Sequence, residues 1–233
     1  NKKVEETLAL LRKAEKELKS QKMGANKKAI MDKKAKNKNE KQIKDLNNKL
    51  KETFPIIDKK NYNKKNYVNS YRFVNTLSNH LKFSDTIVTD MGFSFTTTHQ
   101  AFLNKKKQSL FTNSGHAPMG WGLPAAVGAS SNNKKFEKVI CLTGEGGFQM
   151  NIQELATVMY NKIPVKIFIF NNGGYLTIKQ TQILGFKGRL MGSTKSSGLD
   201  FPNYSKIASS HKINYYKITN QMQLEKKIKK ILQ

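Results

Sequence analysis

The chain has 233 residues, of which 37% are hydrophobic, and a formal net charge of +26 from 42 Lys and Arg against 16 Asp and Glu. The length suits one α/β domain with an appendage, the single Cys141 excludes an intrachain disulfide framework, and no apolar run approaches the ~18 residues of a membrane helix. Only Arg12, Arg72 and Arg189 are arginines, and the lysines travel with abundant Asn. That is a compositional bias rather than the Arg-rich surface of a specific nucleic-acid reader, so neither nucleic acid nor a membrane is an expected partner.

Residues 4–19 place Val4, Leu8, Leu11 and Leu18 near helical spacing among charges, which predicts one amphipathic helix. Residues 20–66 are rich in Lys and Asn, with Phe54-Pro55-Ile56-Ile57 as their hydrophobic knot, and read as an exposed helix and linker. Helices are expected over 68–81, 95–103, 119–130, 149–161, 175–183, 202–210 and 221–232. Strands are expected over 86–89, 109–112, 138–143, 164–170 and 213–218. Such alternation predicts a doubly wound, mostly parallel sheet with helices on both faces, after a helical Lys/Asn-rich N-terminal segment.

Two strand ends carry the chemistry. Gly144-Glu145-Gly146-Gly147 follows the run 138–142, and Asn171-Asn172-Gly173-Gly174 follows the run 165–170. The intervening residues 147–170 make room for one helix and one strand, so both turns fall at the carboxyl edge of the sheet, where open α/β sheets bind ligands. Glu145 offers a carboxylate, Asn172 a side-chain carbonyl, and the glycines unshielded main-chain carbonyls. Oxygens of this kind suit Mg²⁺ or Ca²⁺ shared with a phosphate, and a helix N-terminus opened by Gly146 and Gly147 attracts an anion. A third polar turn, Asp90-Met91-Gly92-Phe93-Ser94, ends the strand 86–89. The bland readings are a carboxylate capping its own helix, a plain Asn-Asn turn and Ser94 as an N-cap.

Together these words resemble the thiamine-diphosphate signature, Gly-Asp-Gly followed about two dozen residues later by Asn-Asn. Residues 120–129 (Gly-Trp-Gly-Leu-Pro-Ala-Ala-Val-Gly-Ala), 147–155 and 171–182 are similar to the acetolactate-synthase-like branch of that superfamily, and the similarity runs from about Tyr67 to Ile218. It implies that residues 67–233 are the C-terminal diphosphate-binding domain. Truncation at its C-terminus is expected, with residues 1–66 as the tail of an absent central domain.

The resemblance also assigns residues. Glu145, Asn172 and Gly174 match the metal ligands, with Glu145 where the family has Asp. Gly92 and Ser94 match the turn on the terminal phosphate, and Gly144, Gly146, Gly147, Asn172, Tyr175, Leu176 and Thr177 match further cofactor contacts. Met119 matches the apolar wedge that holds the cofactor bent, although core filling is a common fate of Met. Ala117 matches the carbonyl that meets the aminopyrimidine. His116 reads as either a loop acid–base group or a solvated bystander. The activating Glu of the family belongs to a separate N-terminal domain, so no catalytic residue is expected in this segment, and the fragment alone is expected to be inactive.

The implied activity is thiamine-diphosphate- and Mg²⁺-dependent decarboxylation of a pyruvate-like 2-oxo acid with carboligation to a second carbonyl, in a cytoplasmic homodimer or homotetramer. FAD dependence is left open. The alternatives are a 2-oxo acid decarboxylase, a sugar- or polyol-directed carboligase of polysaccharide synthesis, or a non-catalytic binding subunit of the same fold.

Overall fold

A computed structural model describes residues 2–24, 33–53, 55, 57, 66–131 and 137–233. The chain divides into two compact units, Asn1–Asp58 and Lys59–Gln233.

The first unit contains two helices, α1 (Lys2–Gly24) and α2 (Lys33–Thr53), which pack together. The less exposed residues of α1 are Val4, Thr7, Leu11, Ala14 and Leu18, three or four apart, and those of α2 include Ile43, Leu46 and Leu50. This is the spacing that lets one stripe of each helix face the other. The stretch expected as an exposed helix and linker thus contains a second long helix. Phe54 and Ile56 of the hydrophobic knot lie outside the described residues.

In the second unit, four parallel strands form one sheet in the order β2-β1-β3-β4: β1 (Thr86–Thr89), β2 (Ser109–Phe111), β3 (Val139–Gly144) and β4 (Val165–Phe170). Register is set by pairs such as Ile87 with Ile140 and Cys141 with Ile167. Successive side chains of a strand point to opposite faces, and β3 divides its residues accordingly. Ile140 and Leu142 join Ile87 and Phe168 beneath α3 (Ser70–His80) and α10 (Leu224–Leu232), which contribute Val74, Leu77, Leu224, Ile228 and Leu232. Val139 and Cys141 join Val88 against Ala126 of α5 (Gly122–Ser131) on the opposite face. Burial of Cys141, with the nearby Asp90 charge, holds its thiol far above the usual range. A third cluster packs Leu123, Phe148, Leu155 and Tyr204, joining α5 to α6 (Glu145–Met150), α7 (Glu154–Tyr160) and α9 (Tyr204–Ser210). Sheet and helices therefore form the doubly wound architecture expected from the sequence.

Two expected elements differ. The helix expected over 149–161 is α6 and α7 separated at 151–153, because the Asn151 side chain donates to the Gly120 carbonyl (2.8 Å) and its backbone leaves helical geometry at φ −131°. The strand expected over 213–218 is irregular. Ile218 packs on the core, and Tyr216 lies beneath the Lys230 ammonium. Among the described residues no helix is long and apolar enough to cross a membrane.

Candidate functional site

The strand order places β1 beside β3, while the chain leaves β1 for β2 on one side and β3 for β4 on the other. This is a topological switch point, and a crevice opens outside the carboxyl ends of the two strands. Three strand-to-helix turns and one loop meet there.

The turn after β1 leads into α4 (Phe93–Ala101) through Gly92, whose φ of 79° is a backbone conformation that side chains rarely adopt. Gly92, not Ser94, is the N-cap residue of α4 and supplies no side-chain cap. Ser94 is buried, and its hydroxyl donates back to the Met91 carbonyl (3.2 Å).

The turn after β3 starts α6 at Glu145. Glu145 is 1% exposed. Its Oε1 accepts the Gly173 amide at 2.7 Å, whereas Oε2 is buried and finds no hydrogen-bond partner among the described residues. The carboxylate thus reaches across to the turn after β4 rather than serving only its own helix. Burial raises its pKa above the ordinary range, an effect partly offset by the amides of Gly173 and Asn172. Tyr204, close enough to feel the Glu145 charge, is buried, and its hydroxyl has no partner among the described residues. Burial, then the charge of Glu145 and the neighbouring Tyr175, push that hydroxyl far up.

The turn after β4 carries Asn171, Asn172, Gly173 and Gly174 into α8 (Leu176–Gly185). Gly174 bridges Thr194, and the Tyr175 amide donates to the Ser193 carbonyl at 3.0 Å. A Cβ at Gly174 would fall 2.3 Å from that carbonyl, so glycine is what allows the strap 191–197 to lie on the turn. Gln182 of α8 holds the strap in place, accepting from the Ser193 hydroxyl (2.7 Å) and donating to the Met191 carbonyl (2.9 Å). Gly146 has a similar constraint, since a Cβ there would lie 1.8 Å from the Tyr175 ring.

These turns line one cleft. Gly92 and Ser94 come from the turn after β1, Gly144, Glu145, Gly146 and Gly147 from that after β3, Asn172, Gly174, Tyr175, Leu176 and Thr177 from that after β4, and Met119 from the loop ahead of α5. Met91, Phe93, Phe170 and Ile178 add apolar surface. Ala117 is exposed and outside the lining; it holds a left-handed φ of 51°, a conformation costing a non-glycine residue about 1 kcal/mol. His116 is exposed as well. The cleft holds about 50 Å³, more than the ~10–15 Å³ that admits a water molecule.

Among the described residues no cluster of three or more His, Cys, Asp or Glu side chains is arranged to hold a metal. The donors gathered here are one carboxylate with an unsatisfied oxygen and nearby amide and main-chain carbonyls. That set fits Mg²⁺, which is commonly held through one or two carboxylates and the phosphates of its ligand. No side chain caps the start of α4 or α6, and backbone amides at helix starts suit an anion.

Sequence reasoning named Asp90 only as part of a turn and passed over Thr143, Asn151, Gln182 and Ser193. Asp90 accepts from the Met91 amide (2.8 Å), the Gly120 amide (3.0 Å) and the Thr143 hydroxyl (2.8 Å). A buried acid directly after an apolar strand was the available signal, but its partners lie 30 and 53 residues away.

Fold and cleft together define an α/β domain with a polar cleft at its topological switch point. The family model described as "Thiamine pyrophosphate enzyme, C-terminal TPP binding domain" matches residues 90–233, and the chain belongs to that family. It is 35% identical over 131 residues to the acetolactate synthase large subunit of Cyanidium caldarium, covering 56% of this chain and 22% of that protein. It is 34% identical over 139 residues to the acetolactate synthase isozyme 2 large subunit of Escherichia coli K12, covering 60% and 25%. It is 33% identical over 183 residues to a probable acetolactate synthase large subunit of Methanococcus aeolicus, covering 78% and 27%. The alignments thus span about a quarter of each relative's length.

Proposed function

We propose that residues 67–233 form the thiamine-diphosphate- and Mg²⁺-binding half of an acetolactate-synthase-like carboligase, which decarboxylates a pyruvate-like 2-oxo acid and joins the remainder to a second carbonyl. The observation that carries the reading is the buried, unpartnered Oε2 of Glu145 at a switch-point cleft whose other donors are oxygens and free amides. Leaving a buried carboxylate oxygen unmatched costs free energy, and a cation removes that cost.

Glu145, Asn172 and Gly174 would hold the metal through carboxylate, side-chain and main-chain oxygens. Glu145 is one methylene longer than the Asp of the family signature, and its Oε1 bond to Gly173 anchors the extra length. The amides at the start of α4, beside Gly92 and Ser94, and those of Gly146 and Gly147 would meet phosphate oxygens. Met119, Tyr175, Leu176 and Thr177 would support the ring portion from the sides. The bound cofactor supplies the electron sink for breaking and making carbon–carbon bonds, while the protein supplies placement and electrostatics. The proton-moving carboxylate that activates the cofactor belongs to another domain, met across a homodimer or homotetramer interface. Residues 1–66 are the tail of a central domain, and the setting is cytoplasmic.

The test is calorimetric titration of the full-length protein with thiamine diphosphate, with Mg²⁺ and with EDTA, followed by turnover of pyruvate. Metal-dependent binding with release of CO₂ supports the carboligase. Binding without turnover favours a non-catalytic subunit, and no binding overturns the reading.

A further inference from the structure

Asp90 supplies none of the metal donors, yet its carboxylate joins three segments of the cleft. Oδ1 accepts the Met91 and Gly120 amides, and Oδ2 accepts the Thr143 hydroxyl. These donors come from the turn after β1, the loop entering α5 and the end of β3. The surrounding backbone is fitted to the side chain. A Cβ on Gly147 would lie 2.1 Å from Oδ2, and one on Gly122 would lie 2.8 Å from the Asp90 Cβ. Gly120 is gripped twice, its amide by Asp90 and its carbonyl by the Asn151 side chain. Its φ of 88° and a Cβ position 2.8 Å from Met150 leave glycine as the residue that fits.

We propose that Asp90 is a positioning residue for the cofactor cradle. Its carboxylate locks the loop 117–122, which carries Met119, to the ends of β1 and β3, so that the cleft is formed before a ligand enters. This deepens the thiamine-diphosphate reading and rests on it. A carboxylate suits this geometry because both of its oxygens accept, from two backbone amides and the Thr143 hydroxyl. Asparagine would turn an NH₂ group toward at least one of them. The metal donors stay untouched by the change, so the effect reaches the ligand through the loop.

The test uses full-length Asp90→Asn and Thr143→Val, with Asp85→Asn as the control. Asp85 is equally buried, at the opposite end of β1, where its carboxylate accepts the Lys82 and Lys138 amides. Two quantities are read: amide hydrogen exchange of the ligand-free protein, and calorimetric affinity for thiamine diphosphate with Mg²⁺. Asp90→Asn and Thr143→Val are expected to release protection across 117–122 well beyond their shift in global melting. They are also expected to weaken cofactor binding about 10- to 100-fold, the effect found when groups behind metal ligands are removed. Asp85→Asn is expected to leave protection at 117–122 and affinity unchanged at whatever melting temperature it has.

Unchanged exchange at 117–122 in both site variants overturns the proposal, as does equal loosening of that loop by Asp85→Asn. A wild type that binds thiamine diphosphate, with variants of unchanged affinity, overturns the Asp90 role alone. A wild type that binds none overturns the cofactor reading and the cradle with it.

Discussion

The two ends of β1 present the same side chain to different surroundings. Asp85 and Asp90 are both 1% exposed. At the amino end Asp85 ties the turn before β1 to the start of β3, and around it Lys105 and Gln108 donate to carbonyls of the α3–β1 connection, at Leu81 and Lys82. Donors and acceptors there are paired, which is how a fold closes an edge. At the carboxyl end Asp90 is also satisfied, but its neighbours are not: Glu145 keeps an unmatched oxygen, Tyr204 an unmatched hydroxyl, and two helices begin without side-chain caps. Polar capacity left open at one edge of an otherwise satisfied sheet is the mark of a place where something else binds.

The comparison is broken most severely at Glu145. Glu145→Ala is expected to weaken metal-dependent thiamine diphosphate binding by more than about 100-fold, exceeding the effect of groups behind the ligands, as read by calorimetry. Glu145→Asp is expected to retain binding within about tenfold, one decade being about 1.4 kcal/mol, because the family signature carries Asp there.

Gly146→Ala is expected to destabilise the protein by about 1–3 kcal/mol in a denaturant melt, the usual cost of overpacking, since the new methyl meets the Tyr175 ring. Adding Tyr175→Ala to it should recover part of that loss. Asp85→Ala is expected to cost about 1–3 kcal/mol through two unsatisfied amides, with cofactor affinity unchanged in the folded fraction.

The smallest effect is in pH. Burial raises the pKa of Asp90 above its ordinary 3.8, against the opposing pull of the Met91 amide, Thr143 and the Gly120 and Gly122 amides. A raised carboxyl pKa means the folded state holds the proton more tightly than the unfolded one. Stability associated with Asp90 is therefore greatest below pH 3.8 and declines as pH rises through the raised value. In paired melts the advantage of wild type over Asp90→Asn should shrink across that window. An advantage that grows with pH there would contradict a raised Asp90 pKa.

The elements legible in the sequence are those whose causes are local. Strands β1 and β4 are apolar runs stopped by polar turns, and the glycines at 92, 146, 147 and 173–174 mark where backbone must bend or approach another chain segment. What escaped depends on partners far along the chain. Asn151 breaks a helix because Gly120 needs its side chain. Residues 213–218 have strand-like alternation but pair with no strand among the described residues. Ser193 and Gln182 form the strap over Gly174 across residues with no periodic signal. Asp90 is visible as an acid, but its function in the fold exists only once Gly120 and Thr143 are brought beside it.

The most direct measurement is the electron paramagnetic resonance spectrum of Mn²⁺, substituting for Mg²⁺, added to the full-length protein with and without thiamine diphosphate. The expected result is a bound-ion spectrum that requires the cofactor and disappears in Glu145→Ala. Free-ion Mn²⁺ with cofactor present, or a bound ion that survives Glu145→Ala, would contradict a metal–diphosphate site built on Glu145.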